Sequence, residues 1–201
     1  MMEYYLRHVN FLPDPKESNA ALQGIPGWRI EYILRYLRAC DRKLSLGAWR
    51  LMEEALKRHG FSAENVTIGL NGKPECEGVY FNLSHSGDMV LCTISDVPVG
   101  CDLERVTDAP LEVADRYFSE RERRYIDKAR NHPEINRRFF RLWTMKESYM
   151  KMTGEGISIS PECIEIDIDA MTVLCDGVLQ SCILKNISYE DYEVSICMCE
   201  S

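Results

Sequence analysis

Two carboxylates stand one residue apart in segment 99–104, whose sequence is Val-Gly-Cys-Asp-Leu-Glu. The segment is typical of a strand, and on a strand residues two apart point to the same face. We therefore expect Asp102 and Glu104 to lie side by side, with Cys101 and Leu103 on the opposite face. Adjacent carboxylates repel unless a positive charge separates them, and a hard divalent cation such as Mg²⁺ is the usual solution. A solvated pair on an exposed face is the alternative.

A second group of candidate residues lies in segment 139–151, whose sequence is Phe-Phe-Arg-Leu-Trp-Thr-Met-Lys-Glu-Ser-Tyr-Met-Lys. Apolar side chains surround this helix almost completely, which predicts that it is buried. Glu147 and Lys151 are four residues apart and share one face of the helix. A buried carboxylate needs a partner. An internal Glu147–Lys151 ion pair without a further role is the alternative to a chemical function.

A third group follows the strand at 79–83, in the sequence Asn82-Leu83-Ser84-His85-Ser86-Gly87. It brings hydroxyl groups, an imidazole and free backbone N–H groups to a Gly-Asp turn at the end of the strand. Such an end can hold a phosphate. A polar turn with a solvent-exposed His85 is the alternative.

The surrounding pattern predicts the elements that would position these groups. Up to and including the carboxylate strand, we expect residues 1–28 to be irregular, 29–59 to be helical and 79–83 to form a strand. Residues 89–94 and 99–104 are expected to form a hairpin joined through 95–98. After them we expect a break at 107–110, a helical segment at 112–130 ending near His132-Pro133, a helix capped by Asn136 and closed by Gly154, and short strands within 157–199.

This pattern predicts an α+β fold with two pseudo-symmetric lobes, 1–106 and 107–201. Each lobe is expected to pack a helix on a small antiparallel sheet, and the active site is expected in the cleft between the lobes. The boundary is placed after the Asp-x-Glu strand, where Thr107-Asp108-Ala109-Pro110 breaks the pattern.

Composition limits the classes of function. The 201 residues include 24 basic and 32 acidic ones, so the net charge is 24 − 32 = −8. A binder of nucleic-acid backbones normally carries net positive charge, so that class is disfavoured. The sequence has no run of about 18 apolar residues that could span a membrane. The N-terminal residues lack the pattern of a secretion signal, so we expect a cytoplasmic protein.

The nine cysteines include no C-x-x-C pair of the kind found in zinc or redox sites. We expect reduced cysteines that act as small core residues, and a metal site or a disulfide is the alternative. Cys197 and Cys199 lie in one predicted strand and should point to the same face.

Taken together and in order, four motifs resemble those of the 4′-phosphopantetheinyl transferases. They are Gly72-Lys73-Pro74, Asn82-x-Ser84-His85-Ser86, Val99-Gly100-x-Asp102-Leu103-Glu104 and Phe139-x-x-x-Trp143-Thr144-x-Lys146-Glu147-Ser148-x-x-Lys151. The surfactin-synthetase-activating (Sfp) type fits better than the shorter holo-[acyl-carrier-protein] synthase type. The resemblance covers about residues 38 to 160, with a weaker match at 41–47. Cys101 departs from the family pattern, in which an aliphatic residue is usual, and we expect no chemical consequence.

The resemblance implies two pseudo-symmetric halves with coenzyme A bound between them. It implies transfer of the phosphopantetheine arm of coenzyme A to a serine of an apo acyl or peptidyl carrier protein, with release of adenosine 3′,5′-bisphosphate. It also implies Mg²⁺, or Mn²⁺ in its place, held against the pyrophosphate by Asp102, Glu104 and Glu147. A monomer would be sufficient, since one chain supplies both halves of the site.

The resemblance further implies roles for individual residues. Glu147, directly or through a metal-bound water, would deprotonate the carrier serine, and Lys151 would stabilise charge on the phosphates or the leaving group. Ser84 and His85 would contact phosphate oxygens, so His85 belongs with the catalytic and the coenzyme-binding residues. Lys73 and Lys43, with Arg38 and Arg42 beside them, would meet the 3′-phosphate and the adenine.

Two other classes of function compete with this interpretation. A different Mg²⁺-dependent phosphotransferase or phosphohydrolase would also use three carboxylates, but it does not explain the Trp-x-x-Lys-Glu-Ser-x-x-Lys spacing. A non-catalytic module that binds coenzyme A or a carrier protein is disfavoured, because all three carboxylates and Lys151 are present.

Basic residues concentrate between Arg116 and Lys151, where eleven stand against five acidic ones, a local charge of 11 − 5 = +6. Carrier proteins of this family are typically acidic around the modified serine, so we expect this segment, with Arg121 and Arg124, to steer them in. The alternative is a solvated face on which Arg121, Arg123 and Arg124 pair with Glu120 and Glu122.

Overall fold

The computed structural model describes residues 1–69, 72–154 and 159–200. The five α-helices in these ranges are α1 Gly27–Leu34, α2 Ala39–Arg58, α3 Leu111–Tyr117, α4 Glu120–Asp127 and α5 His132–Thr153. The strands of the first half are β1 Met2–His8, β2 Val66–Ile68, β3 Pro74–Cys76, β4 Tyr80–Ser86 and β5 Met89–Ser95. Those that follow are β6 Val99–Arg105, β7 Ile164–Asp167, β8 Thr172–Cys175, β9 Val178–Leu179, β10 Cys182–Tyr189 and β11 Tyr192–Cys199.

Two three-stranded antiparallel sheets share one topology. Their orders are β1-β5-β4 and β10-β11-β6. In the first sheet, β5 lies in the middle and pairs with β1 and β4. In the second sheet, β11 lies in the middle and pairs with β6 and β10. In each sheet the middle strand is thus the last of its half, and it pairs with the first strand and with the strand just before it. A long helix, α2 or α5, follows the first strand in each half. The α+β class and the two pseudo-symmetric lobes are thus confirmed.

The described residues form three hydrophobic cores, one within each lobe and one between the two sheets. One packs α2 against the β1-β5-β4 sheet, with Trp49 and Met52 at its centre. A second packs α5 against the β10-β11-β6 sheet and its neighbours. The third contains only strand residues of both sheets, among them Leu91 and Leu103, and joins the sheets through their faces away from the helices. Alternation along β6 therefore buries Leu103 between the sheets and points Asp102 towards α5.

The structure differs from three sequence predictions in how strands pair. Residues 2–8 form strand β1, which pairs with β5, so the first 28 residues are not all irregular. β5 and β6 are not a hairpin: β5 pairs with β4 across a tight turn at Gly87, and β6 pairs with β11. The predicted boundary at 106/107 lies one strand later than the division of the sheets, because β6 pairs strand to strand with β11 of the C-terminal sheet.

Helix α5 starts earlier than predicted. Asn131 is its N-cap, accepting a hydrogen bond from the backbone N–H of Glu134, and Pro133 lies in the first turn, where a missing N–H costs nothing. Asn136 lies inside the helix, so its predicted capping role is wrong. The predicted end is confirmed, because Gly154 adopts the left-handed conformation (φ 72°) that closes many helices.

The segment predicted as one helix at 112–130 is two, α3 and α4, and Ser119 caps the second. No helix among residues 1–69, 72–154 and 159–200 is long and apolar enough to cross a membrane.

Candidate active site

A row of polar side chains joins the two sheets at β4 and β6. Side-chain oxygens of β4 accept hydrogen bonds from backbone N–H groups of β6, where a backbone ladder would otherwise stand. The donor and acceptor pairs are Cys101 N–H to Asn82 Oδ1 (3.1 Å), Leu103 N–H to Ser84 Oγ (3.3 Å) and Arg105 N–H to Ser86 Oγ (3.1 Å). This row fixes the Asp-x-Glu strand beside the Ser-His-Ser strand, so two of the sequence motifs meet.

Asp102 is the central carboxylate of the site, and its residue is only 3% exposed. Its Oδ1 accepts from Lys151 Nζ at 2.6 Å and from Ser84 Oγ at 2.8 Å. Its Oδ2 is buried and has no hydrogen-bond partner among the residues that the structure describes. The alternative of an internal Glu147–Lys151 pair is therefore contradicted, because Lys151 pairs with Asp102 instead. Although burial opposes it, this pairing raises the pKa of Lys151, which therefore stays charged.

Gly100 allows α5 to approach β6 closely enough for that pair to form. A Cβ at this position would overlap the backbone oxygen of Ser148 and the backbone nitrogen of Met152. It would also lie 2.7 Å from the carbonyl carbon of Lys151. The glycine of the Val-Gly-x-Asp motif is thus explained by packing of backbone on backbone.

Glu104 and Glu147 line a cavity of about 380 Å³ together with Asp102, His85, Trp143 and Lys151. Burial raises the pKa of the Glu104 carboxyl to about 6, opposed by a hydrogen bond from Ser86 Oγ (2.6 Å) and supported by the charge of Asp102. Burial and the same charge raise the pKa of Glu147. Acids with raised pKa values in one cavity are typical of active sites.

These carboxylates suit a hard divalent cation by their chemistry. Among the described residues no group of three or more His, Cys, Asp or Glu side chains is already arranged to hold a metal ion. The unpartnered Oδ2 of Asp102 and the raised pKa values of Glu104 and Glu147 nevertheless indicate oxygen atoms that lack positive charge. The donor set is therefore compatible with Mg²⁺, which prefers carboxylate oxygens and keeps several waters.

The raised pKa of Glu104 predicts a pH-dependent change in stability. At pH 7.5 the carboxyl is ionised in both folded and unfolded chains, and its pKa of about 6, against 4.5 ordinarily, means that the charge destabilises the fold. We expect Glu104→Gln to raise the free energy of unfolding of the metal-free protein by about 1 kcal/mol at pH 7.5. This gain should vanish near about pH 3, well below both pKa values, where the carboxyl is protonated in both states. Denaturant unfolding at the two pH values measures it, and an equal gain at both would contradict the assignment.

His85 lies at the border between the carboxylate cavity and a second hollow of about 430 Å³. Desolvation by the surrounding protein atoms and the positive charge of Lys151 lower the pKa of His85. The second hollow is lined by aromatic rings, including Trp28 and Tyr32, and by Lys73. Lys73 also lines a third hollow, of about 700 Å³, between the β3–β4 region and the end of α5. The three hollows share residues and follow one another, which predicts an elongated ligand.

The candidate coenzyme-binding residues are not all brought together. Lys73 Nζ donates to the Lys151 carbonyl at 3.3 Å, so it reaches the site, and burial lowers its pKa. Lys43 Nζ donates to the Asn10 carbonyl at 3.5 Å, and the residue is not among those that line the three hollows. Arg38 is exposed and pairs with Asp41 (3.0 Å).

Arg42 is a structural residue. It is buried, its guanidinium binds Asp14, and it also donates to the carbonyls of Tyr36 and Leu37. The expectation that Arg42 meets the 3′-phosphate is thus contradicted. The hydroxyl of Ser84 donates a hydrogen bond to Asp102. Its contact with a phosphate stays a prediction.

Sequence reasoning assigned no role to the buried ion pair between Lys146 and Glu122. Both side chains are fully buried at 3.0 Å, and Lys146 also donates to three backbone carbonyls, those of Tyr117, Pro161 and Ile164. Glu122 also closes the capping box of α4 with Ser119, so it does not belong to the solvated face that was the alternative to carrier docking. The pair fixes α5 against α4 and β7 one residue before Glu147. An apolar helix that carries a lysine inside its buried segment is the signal that could have revealed it.

The chain is similar to known 4′-phosphopantetheinyl transferases. A model of the 4′-phosphopantetheinyl transferase superfamily matches residues 98–197. The chain is 33% identical over 166 residues to the 4′-phosphopantetheinyl transferase gsp of Aneurinibacillus migulanus, covering 80% of this chain and 66% of that one. It is 29% identical over 193 residues to a 4′-phosphopantetheinyl transferase of Bacillus subtilis, covering 90% and 85%. It is 40% identical over 87 residues to the 4′-phosphopantetheinyl transferase Sfp of Bacillus subtilis (strain 168), covering 43% and 38%.

The fold, the four motifs and these relatives define a transferase class: the chain belongs to the 4′-phosphopantetheinyl transferase superfamily. The predicted resemblance to the Sfp type is confirmed. Similarity extends beyond residue 160, where the sequence motifs stopped, to residue 197. The match covers about two thirds of the gsp relative and little more than a third of Sfp.

Proposed function

We propose that this protein transfers the 4′-phosphopantetheine arm of coenzyme A to a serine of an apo carrier protein, as its relatives' names indicate. The observation that carries the proposal is the line of three hollows. It runs from the carboxylates, past His85, to Lys73 and the cleft between the lobes. An elongated anionic ligand would lie along it, with its pyrophosphate at the charged end.

Glu147 is the proposed general base. Its raised pKa makes it a stronger base than an ordinary carboxylate. It would take the proton of the carrier serine, directly or through a water, and the serine oxygen would then attack the phosphorus of the pantetheine side. The P–O bond to the departing adenosine 3′,5′-bisphosphate breaks as the new P–O bond forms.

Lys151 and His85 are the proposed stabilisers of charge on the phosphates. Lys151 is held by Asp102 and Ser84, at 2.6 and 3.2 Å, so its ammonium group is fixed before the substrate arrives. Positive charge that is already in place stabilises a phosphoryl transition state without reorganisation. His85, which borders both hollows, would donate to a phosphate oxygen.

We propose that Asp102, Glu104 and Glu147 hold Mg²⁺, with Mn²⁺ as a substitute, when coenzyme A binds. The bound cation would neutralise charge on the pyrophosphate. Lys151 pairs with Oδ1 of Asp102. The other carboxylate oxygen of Asp102, Oδ2, would therefore be the one available to the cation. Full transfer activity in excess chelator would contradict this assignment.

Release of adenosine 3′,5′-bisphosphate tests the proposed reaction against hydrolysis. We expect release from coenzyme A only when both a divalent cation and an apo carrier protein are present. A Mg²⁺-dependent phosphohydrolase would release the nucleotide without the carrier. Release that is independent of the carrier would therefore overturn the proposal in favour of hydrolysis.

Lys73 is expected to set the affinity for coenzyme A. We predict that Lys73→Ala raises the KM for coenzyme A roughly tenfold, the loss of one charge-assisted contact, with a smaller effect on kcat. With dephospho-coenzyme A, which lacks the 3′-phosphate, the variant and the wild type should have the same KM. A tenfold difference that persists with dephospho-coenzyme A would assign Lys73 another role.

We also propose that a carrier protein docks on the basic face beside α4. Tyr117 packs its ring against Trp143, which lines the carboxylate cavity, so the α3–α4 region borders the site. Arg121 is not free for this role, because it pairs with Asp167 at 2.7 Å. Arg124 is exposed; it lies 3.6 Å from the Glu120 carboxylate and donates to the Glu120 carbonyl at 3.3 Å within its own helix. Lys128 is also exposed.

Charge reversal on this face should slow use of an acidic carrier. We predict that Arg124→Glu with Lys128→Glu lowers kcat/KM for the carrier several-fold at low salt and leaves the KM for coenzyme A unchanged. Added salt should weaken the wild type and affect the variant less. Lys16→Glu with Lys57→Glu changes net charge equally on the other lobe and is the matched control. If both double variants behave alike, the docking surface lies elsewhere.

The proposal includes action as a monomer in the cytoplasm. Strands β4 and β6 and helix α5 supply the residues that line the carboxylate cavity, so a single chain is sufficient to build it.

A further inference from the structure

Three cysteines that the proposed function does not use converge on one side of the β10–β11 pair. Cys182 begins β10, and Cys197 and Cys199 end β11. Cys197 Sγ and Cys199 Sγ lie 3.6 and 3.9 Å from the sulfur of Met152, so the two thiols share a face, as the sequence predicts. All nine cysteines are free thiols.

Cys182 and Cys199 are direct cross-strand partners in the antiparallel register. The hydrogen bonds fix the type of pair. Cys199 N–H donates to the Pro98 carbonyl at 3.0 Å, away from β10, whereas Glu200 N–H donates towards β10, to the Ser181 carbonyl at 3.4 Å. Cys182 and Cys199 therefore form a non-hydrogen-bonded pair, the type in which side chains approach more closely.

That geometry is compatible with a disulfide. In non-hydrogen-bonded antiparallel pairs the Cα atoms are about 4.5 Å apart. Disulfides span Cα separations of about 4.4 to 6.8 Å. Cys197 is less well placed for the same bond, because its cross-strand partner is Leu184 and its side chain is fully buried.

The two sulfurs differ in a way that suits stepwise oxidation. Cys199 is half-buried, so a small molecule in solution can reach it, whereas Cys182 is buried. The Cys197 thiol donates a hydrogen bond to the Cys182 sulfur and lowers the pKa of Cys182. A thiol with a lowered pKa has a larger thiolate fraction, and the thiolate is the attacking species.

We propose that Cys182 and Cys199 are a redox-active dithiol that closes to a cross-strand disulfide on reaction with a low-molecular-weight disulfide. The Cys199 thiolate attacks one sulfur of the small disulfide, forms a mixed disulfide and releases one small thiol. The Cys182 thiolate then attacks Cys199 Sγ, forms the internal bond and releases the second small thiol. Two protein thiols are oxidised and one small disulfide is reduced to two thiols, so atoms and electrons balance.

The test is incubation of the full chain with excess oxidised glutathione, followed by acid quenching, alkylation in denaturant and peptide mapping by mass spectrometry. We expect most chains to lose two hydrogen atoms and to carry a bond between Cys182 and Cys199. Absence of an internal disulfide, or a bond between any other pair in most chains, would overturn the proposal.

Variants separate the two steps. Cys182→Ser should stop at a glutathione adduct on Cys199, and Cys199→Ser should form no internal bond. Cys40→Ser and Cys175→Ser remove thiols outside the pair and should leave its oxidation unchanged. Formation of the internal bond in Cys199→Ser would contradict the assignment. Circular dichroism checks that each variant is folded, and the wild-type map decides the question if one is not.

Discussion

Glu147→Gln is expected to lower kcat for phosphopantetheine transfer by about 100-fold to 10,000-fold, the range contributed by a positioned general base. The amide has nearly the shape of the carboxylate but cannot take the serine proton. The variant should remain folded, because burial and the charge of Asp102 raise the pKa of Glu147 and make its own charge unfavourable in the metal-free fold. Steady-state kinetics with saturating coenzyme A and carrier measure the loss.

The control for this variant is Glu112→Gln, an exposed acid in the first turn of α3. It removes the same charge from a residue that does not line the carboxylate cavity and should leave kcat unchanged. The pH profile provides a second check, because the wild-type rate should fall as Glu147 becomes protonated. A Glu147→Gln enzyme with wild-type kcat would exclude this residue as the base.

Gly100→Ala is expected to disrupt the packing of α5 on β6, which positions the site. The added Cβ would overlap the backbone of α5 at Ser148 and Met152, and backbone cannot rotate away as a side chain can. We expect a loss of at least about 1–3 kcal/mol in the free energy of unfolding, the usual cost of overpacking. Displacement of α5 would also separate Lys151 from Asp102, so residual folded protein should transfer poorly. Denaturant unfolding and transfer kinetics measure the two effects.

Gly27→Ala is the matched control, because a Cβ there would have no atom within 4 Å. Gly27 begins α1, where alanine is a better helix former. We expect unchanged or slightly higher stability and unchanged transfer. If Gly100→Ala behaved like Gly27→Ala, close packing of α5 on β6 would not be what positions Lys151.

Local periodicity predicted the parts of the fold that depend on near neighbours. The alternation around Asp102 and Glu104 correctly placed Cys101 on the opposite face, in the core between the sheets. The glycine stop at Gly154 was equally local. The partners of β5 and β6 were not predictable in this way, because the choice between a hairpin and two separate sheets depends on contacts with β1 and β11, far away in sequence.

The candidate site shows the same division. Spacing alone brought Glu147 and Lys151 to one helix and suggested that they pair. In the structure Lys151 instead forms an ion pair with Asp102, because Gly100 lets the helix approach the strand and the buried Asp102 carboxylate needs a positive partner. Ser86 was also part of a motif, but its bond to Glu104 depends on the side-chain row between β4 and β6. Such long-range pairings follow from packing, which one sequence does not reveal.

The intact mass of an apo carrier protein tests the central claim most directly. The protein is incubated with coenzyme A, Mg²⁺ and the apo carrier, alongside a carrier whose acceptor serine is replaced by alanine. We expect the carrier to gain the mass of one phosphopantetheine arm on that serine, and the alanine carrier and the Glu147→Gln enzyme to give no gain in the same time. An unmodified wild-type carrier, tested across acyl and peptidyl carrier proteins, would contradict the assignment of this site to phosphopantetheine transfer.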